Sequence, residues 1–122
     1  MFVQVFPVTV TTAADGSATA YSAQVNGMLD RIRYVKTDFA DGSTMTITLE
    51  DTGESLWTES SVNATTSRAP RQATHLNTTG EQSFYQLIDS AVLDRIAVNG
   101  RVKIVIASGG NTKTGTFYIV TV

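Results

Sequence analysis

The sequence predicts an all-β protein: a single-domain antiparallel β-sandwich or barrel with one long loop. The sequence pattern also allows one short helix. Apolar residues alternate with Thr, Ser and Gln through most of the chain, the period of two that is expected of strands with one buried face. β-branched residues are abundant, and in the first half of the chain the predicted strands, separated by turn signals such as Asp-Gly and Asn-Gly, follow one another at a spacing of about 8–12 residues. That spacing is typical of sandwiches and barrels.

The composition is that of one folded domain. The chain has 122 residues, of which 42% are hydrophobic and 16% are charged, so it is too apolar to be disordered and long enough to bury a core. No Pro-rich or Gly-Ser linker divides it. We therefore expect residues 1–122 to form a single β domain.

An N-terminal strand or arm is expected over residues 1–12. Val3 and Val5 lie in one phase of the alternation, whereas Phe6 and the apolar residues after it lie in the other. Because a strand changes phase only by adding a residue, we expect a bulge or a change of sheet at Phe6-Pro7. Pro7 cannot donate to a ladder, so this point is predicted to lie at a sheet edge.

Turn dipeptides divide the next region into strands. Asn26-Gly27 suits a two-residue hairpin turn, and Asp41-Gly42 is predicted to join strands over residues 28–39 and 43–50 as an antiparallel hairpin. The turn Asp51–Glu54 is predicted to close a further hairpin. About five strands are therefore expected in the first half of the chain.

The alternation stops over residues 60–82, which are rich in Ser, Thr, Asn and Arg. We expect a long loop there, and loops longer than about 12–15 residues in a compact domain are usually functional or mobile. Apolar spacing over residues 84–92 allows a short helix.

The last third is predicted to contain more hairpins. Asn99-Gly100 is expected to turn one of them, and the glycine-rich stretch 108–115 reads as the flexible tip of another. Val102–Ile106 is apolar on both faces near its end, so this strand is predicted to be central in its sheet.

Charge and composition exclude several classes of function. Nine Lys and Arg against eleven Asp and Glu give a net charge of -2 without a run of like charge, so neither nucleic acid nor a membrane is expected as a partner. The chain has no Cys, which excludes thiolate metal sites and thiol nucleophiles. The N-terminal residues lack the features of a signal peptide, so the chain is expected to stay in the compartment where it is made.

No catalytic residue, metal or cofactor is expected. His75, the one histidine, lies in the predicted loop, and no Gly-x-Ser-x-Gly nucleophile motif occurs. We therefore interpret His75 as a surface or interface residue. The Asp51–Glu54 turn could hold a weak calcium ion, but turn geometry is the favoured reason for its composition.

Two aromatic residues and two arginines are candidates for binding. Trp57 and Tyr34 could form a face that stacks on sugars, although a core position is favoured for Trp57. Arg68 and Arg71 flank Pro70, which stiffens the segment, so their guanidinium groups could grip carboxylates of a neighbouring subunit. Two solvated arginines are the equally weighted alternative.

From Gly27 to its end, about three-quarters of the chain, the sequence resembles a family of small all-β proteins of tailed bacteriophages. These proteins lie near the major capsid protein in the head-gene region. The resemblance rests on stretches that recur in order: Arg31–Lys36, Asp38–Phe39, Met45–Glu54, Leu56–Glu59, Val62–Asn63, Arg68–His75, Arg101–Ala107 and Gly109–Phe117.

The resemblance implies a virion structural protein, most plausibly a decoration or cement protein on the capsid surface, assembled in the host cytoplasm. Its partners would be the major capsid protein and further copies of itself, with a trimer favoured. A head-tail connector or tail protein is the alternative, and a carbohydrate-binding or adhesin-like module is the second. The residues predicted to lie at interfaces are Phe2, Val3, Phe6, Arg68, Arg71 and His75.

Overall fold

The computed structural model describes residues 2–74 and 92–122, and within these residues every regular element is a β-strand. The all-β class predicted from the sequence is confirmed. In chain order the strands are β1 (Gln4–Thr11), β2 (Ala18–Tyr21), β3 (Val25–Lys36), β4 (Ser43–Leu49), β5 (Ser55–Val62), β6 (Thr66–Arg68), β7 (Gln72–Ala73), β8 (Leu93–Asp94), β9 (Ile96–Gly100), β10 (Val102–Ala107) and β11 (Thr114–Thr121).

The strands form two main sheets and one small ribbon, and all their pairings are antiparallel. The first sheet has the order β1-β11-β3, and two short strands share the far side of β3. β6 pairs with Ile32–Tyr34, and β9 pairs with Val25–Leu29. The second sheet has the order β2-β10-β4-β5, and β7 pairs with β8 in the ribbon. Strand β10 is central, as its apolar faces predict.

Both sheets contribute their inward side chains to one core. Trp57 of β5 meets Phe117 of β11 edge-on, with ring centroids 6.5 Å apart, so the two sheets touch directly. Tyr34 of β3 is fully buried and stacks on Phe39 at 5.8 Å. Removal of its hydroxyl from water, with a smaller effect of Asp38, raises the pKa of Tyr34 to about 12. The core position predicted for Trp57 is confirmed.

The hairpin predicted through Asp41-Gly42 is wrong, because β3 and β4 lie in different sheets. The chain between them is tied to the first sheet: the Asp38 amide donates to the Thr114 carbonyl, and the Phe39 ring enters the core. Burial of a phenylalanine outweighs the local preference of an Asp-Gly pair for a tight turn. The hairpin predicted at Asp51–Glu54 is confirmed, since β4 pairs with β5 there.

Neither Asn-Gly pair turns a hairpin. Asn26-Gly27 lies inside β3, and Asn99-Gly100 ends β9, after which the chain crosses to β10 in the other sheet. Asn26 and Asn99 are instead opposite each other in the β3–β9 ladder. A Cβ on Gly27 would lie 3.0 Å from the Val122 carbonyl oxygen. Close strand approach is therefore one reason for glycine there.

The predicted hairpin tip at 108–115 is also wrong, because β10 and β11 belong to different sheets. The segment is a packed crossing rather than a free tip. The buried Thr12 hydroxyl donates to the Gly110 carbonyl at 2.6 Å and accepts from the Lys113 amide at 2.8 Å. The Gly109 amide donates to the Gly16 carbonyl at 2.9 Å. These bonds fasten the crossing to the turn that follows β1.

The bulge predicted at Phe6-Pro7 is wrong. The β1–β11 register runs without a shift from Gln4 opposite Thr121 to Thr11 opposite Thr114. Phe6 faces the core, whereas Val3 and Val5 remain exposed, so no change of phase is needed. The edge position predicted for Pro7 is confirmed, since β1 pairs only with β11 among the described strands.

The loop predicted over residues 60–82 is interrupted by strands. Up to Thr74 the segment contains the end of β5, all of β6 and β7. Residues 75–82, and residues 84–91 of the allowed helix, lie outside the described part of the chain.

Candidate functional site

Three of the five exposed large apolar side chains of the described residues lie in β1, at the edge of the first sheet, or in the two residues before it. Phe2 is 73% exposed, Val3 62% and Val5 53%. Phe6, which was also predicted to lie at an interface, is half-buried and packs against the core. Val5 is therefore exposed on β1, Phe2 and Val3 are exposed just before this strand begins, and Phe6 is turned inward.

Among the described residues, no strand pairs with the outer edge of the β1 backbone. The Thr12 amide donates to the Lys113 carbonyl at 2.8 Å, in continuation of the β1–β11 register. Antiparallel pairs alternate, so even-numbered residues of β1 face β11 and odd-numbered residues direct their N–H and C=O away from it. Val5 and Thr9 thus offer both groups, whereas Pro7 between them offers only a carbonyl. An edge of this kind can pair with another strand over short stretches on either side of Pro7.

Arg68 is engaged within its own chain. Its Nε donates to Glu59 Oε1 at 2.8 Å and its Nη2 donates to Glu59 Oε2 at 3.0 Å. Glu59 Oε1 also accepts from the indole Nε1 of Trp57 at 3.1 Å. The hydrogen bond from Arg68 is the main reason that the pKa of Glu59 lies below its ordinary value, with a smaller contribution from Trp57. The role of Arg68 at an interface stays a prediction, but its guanidinium is already paired.

Arg71 is held by carbonyl groups. Its Nη1 donates to the carbonyl oxygens of Asp30 at 3.0 Å and Pro70 at 2.8 Å, and its Nη2 lies 4.0 Å from Asp30 Oδ1. It is therefore less exposed than a solvated arginine would be. Its role at an interface likewise stays a prediction.

Asp30 lies in a bulge of β3. Val120 of β11 is opposite Arg31, whereas the next residue, Thr121, is opposite Leu29, so Asp30 is the extra residue. Leu29 and Ile32 are both fully buried, although strict alternation would place them on opposite faces. The inserted residue resolves this conflict and leaves Asp30 and Arg31 together between two core residues.

Three arginines surround this bulge, and we call them with Asp30 the Asp30 cluster (Asp30, Arg31, Arg71 and Arg95). Arg95 Nε lies 3.5 Å and Arg71 Nη2 4.0 Å from Asp30 Oδ1, and Arg31 Nη1 lies 3.8 Å from Oδ2. The cluster forms where β3 passes from β6 to β9. Arg71 lies after β6, where the chain has left the first sheet, and Arg95 lies directly before β9, where the chain joins that sheet again.

The sequence interpretation missed Asp30, Arg31 and Arg95 as parts of a site. One signal was available: Leu29 and Ile32 are out of phase, which indicates an extra residue between them. Arg95 could not be placed beside Asp30 without knowledge of the strand order. His75 lies outside the described residues.

The described surface has neither a pocket nor a cluster of metal-ligating side chains. Residues 2–74 and 92–122 form no pocket. Among the same residues, no group of three or more His, Asp or Glu side chains could hold a metal ion. No helix in that part of the chain is long and apolar enough to cross a membrane.

The two aromatic residues predicted as candidates for stacking on a sugar, Trp57 and Tyr34, are not open to solvent. Tyr21 is exposed on β2, but the Arg101 guanidinium lies over its ring, 4.4 Å from the centroid. That contact occupies the ring face on which a sugar would stack.

The fold and these surfaces define an all-β sandwich whose accessible features are a strand edge and an arginine-rich cluster. In comparisons with known proteins, no family model matches the chain and no curated protein is significantly similar to it.

Proposed function

We propose that the protein is a structural component of a tailed-bacteriophage virion that binds the head shell as a decoration protein. The proposal rests on the ordered stretches of sequence that resemble small phage head-region proteins. One structural observation supports it: the exposed apolar side chains of Phe2, Val3 and Val5 lie at the start of a strand whose outer edge pairs with no other described strand. Unpaired backbone groups beside apolar side chains favour association with another protein.

A decoration protein stabilises a shell by binding only to the assembled form, since any partner that binds one state preferentially stabilises that state. This task requires a stiff scaffold and an accessible surface. The sandwich supplies the first, and β1 together with the Asp30 cluster supplies the second. The buried positions of Trp57 and Tyr34 and the covered ring of Tyr21 disfavour the carbohydrate-binding alternative.

The proposal is tested by mixing the purified protein with bare heads of the phage that encodes it, sedimenting the heads and imaging them. We expect saturable co-sedimentation and added density distributed over the outer shell. Density confined to the portal vertex or tail would replace the decoration role with the connector or tail alternative. Absence of binding to any virion part would reject the virion role.

A matched pair of variants makes the binding test specific. Val5→Asp places a carboxylate on the outward side of β1, and Thr19→Asp places the same group on an exposed position of β2. We expect Val5→Asp to reduce binding to the heads and Thr19→Asp to leave it unchanged. Equal binding of the two variants would remove β1 from the contact.

A further inference from the structure

The Asp30 cluster contains more positive charge than its own carboxylate balances. Three guanidinium groups lie within 4.0 Å of the two oxygens of Asp30. The other arginine ion pairs of the described residues are one-to-one, Arg68 with Glu59 and Arg101 with Glu50. Counted over the ion pairs of the described residues, the cluster therefore has a surplus of two positive charges in a chain whose net charge is -2. The nearby Asp94 carboxylate bonds to the Arg95 backbone amide rather than to a guanidinium group.

The surplus is accessible to a partner. The side chains of Arg31, Arg95 and Arg71 are 55%, 40% and 27% exposed. Arg95 is also incompletely satisfied: its Nε is buried and has no hydrogen-bond acceptor among residues 2–74 and 92–122. Because Nε itself is enclosed, a partner's acceptor would reach the exposed remainder of the Arg95 side chain and not this atom.

The Arg71 guanidinium and the backbones of the other cluster residues are held in place before any partner arrives. The bulge fixes Asp30 and Arg31 on β3, and two carbonyl oxygens fix Nη1 of Arg71. Arg95 is tied at its backbone, where its amide donates to Asp94 Oδ1 at 2.7 Å. Pre-positioned groups lose less conformational freedom on binding than free side chains do.

We propose that the Asp30 cluster is the docking point for an acidic side chain, an Asp or Glu, on the surface of the protein to which this chain binds. Identification of that protein as the head shell rests on the proposed function. Guanidinium groups bind carboxylates through paired hydrogen bonds, and a surplus of two charges suits one or two carboxylates. A nucleic-acid backbone would require an extended basic surface, which an acidic chain with one basic cluster does not provide.

Binding to bare heads provides the first test. Arg31→Gln and Arg95→Gln each remove one positive charge from the cluster, and Arg101→Gln removes one from a one-to-one pair on the other sheet. We expect the first two variants to bind heads about tenfold more weakly than the wild type at low salt, and Arg101→Gln to bind within about twofold of it. Higher salt is expected to reduce the difference in affinity between the two cluster variants and the wild type, because salt screens the charges. Thermal melting of each variant verifies that it is folded.

A second measurement does not depend on the head. Nuclear magnetic resonance of the arginine Nε–Hε groups is followed during titration with the peptide acetyl-Asp-Glu-Asp-amide, its neutral counterpart acetyl-Asn-Gln-Asn-amide, or inorganic phosphate. We expect the acidic peptide alone to shift the signals of Arg31, Arg71 and Arg95 at millimolar concentration, while that of Arg101 stays in place. Equal shifts with phosphate would overturn the preference for carboxylates.

The two measurements separate the two proposals. If the heads bind the wild type and both cluster variants equally, the docking point is wrong and the decoration role stands. If the heads do not bind but the acidic peptide shifts the cluster signals, the decoration role is wrong and the carboxylate site stands. If neither the heads nor the peptide engages the cluster, the docking proposal is rejected.

Discussion

The guanidinium of Arg68 and the carboxylate of Glu59 form two parallel hydrogen bonds, 2.8 Å from Nε to Oε1 and 3.0 Å from Nη2 to Oε2. Because Glu59 Oε1 also accepts from the Trp57 indole, this pair connects β6 of the first sheet to a core residue on β5 of the second. An arginine that was predicted to reach outward to a neighbour therefore joins the two sheets of its own domain.

This pair predicts a pH-dependent contribution to stability. The pKa of Glu59 is lowered in the folded protein, chiefly by Arg68, so the pair stabilises the fold above the ordinary carboxyl pKa and the contribution is lost as the pH falls through the lowered value. Glu59→Gln retains an acceptor for Trp57 but removes the charge. We expect a loss of about 0.5–1 kcal/mol at pH 7, because the pair is partly exposed.

Chemical denaturation between pH 7 and pH 3 measures this effect. The difference between Glu59→Gln and the wild type should shrink as the solution is acidified. Glu54→Gln, which removes a carboxylate without an ion pair among the described residues, is the control and should change little. A difference that stays constant with pH would show that the charge of Glu59 contributes nothing.

The core leaves no room for a side chain at Gly115. A Cβ at this position would lie 2.8 Å from Cε2 of Phe39 and 2.9 Å from Cε1 of Tyr34, both fully buried rings. Gly115→Ala should therefore destabilise the protein by about 1–3 kcal/mol, the usual cost of overpacking. Thermal and urea denaturation measure the loss, with Thr114→Ala at the adjacent position as the control. An unchanged midpoint would mean that the rings move aside at no cost.

The strand order can be tested with engineered disulfides. Thr46 of β4 and Thr58 of β5 are directly opposite, and their ladder position is a pair without mutual hydrogen bonds, in which side chains are closest. Thr46→Cys with Thr58→Cys should therefore oxidise to an intramolecular disulfide. Val35→Cys with Thr48→Cys would be opposite only if Asp41-Gly42 turned a hairpin, and should remain reduced. Gel mobility and free-thiol counting distinguish the outcomes.

The local sequence pattern predicted where the strands lie better than it predicted which strands pair with each other. The alternation of residues 44–49 and the apolar run Val102–Ile106 identify strands because burial of one or both faces is recorded in the sequence itself. Turn dipeptides misled at Asn26-Gly27 and Asp41-Gly42, because a glycine that permits a turn also permits close strand approach or a crossing between sheets. The choice between them depends on which distant strand supplies the other side of the ladder.

Of the candidate site, the exposed apolar residues could be predicted from the sequence, but the contacts of the arginines could not. Exposure of Phe2 and Val3 followed from apolar residues in both phases of a terminal strand, and the structure places them just before β1, at the edge of the first sheet. The surroundings of Arg71 were not predictable, because its contacts with Asp30 depend on a bulge and on a strand that pairs far along the chain. Long-range register determines such contacts, and a single sequence does not record it.

The exposed edge of β1 leads to the last prediction, that the protein self-associates through this strand. Val5 is exposed on the edge, Phe2 and Val3 are exposed just before it, and Val5 presents backbone groups that no described strand occupies. β1 carries no charged residue, so copies of it can approach without repulsion. Pairing of one β1 edge with another closes at two copies, so a dimer is the expected state for this contact. The trimer implied by the sequence resemblance would require β1 to meet a different surface of the next copy.

Val3→Asp combined with Val5→Asp should prevent this association. Full burial of a valine contributes about 1.5 kcal/mol, and Val3 and Val5 are 62% and 53% exposed, so loss of both contacts weakens binding by about one order of magnitude. Introduced carboxylates on adjacent copies also repel. Light scattering coupled to size-exclusion chromatography measures the mass over a range of protein concentrations. Thr19→Asp adds a carboxylate to β2 and should leave the wild-type mass unchanged. A wild type that stays monomeric at every concentration, or a double variant that retains the oligomeric mass, would show that β1 is not the self-association surface.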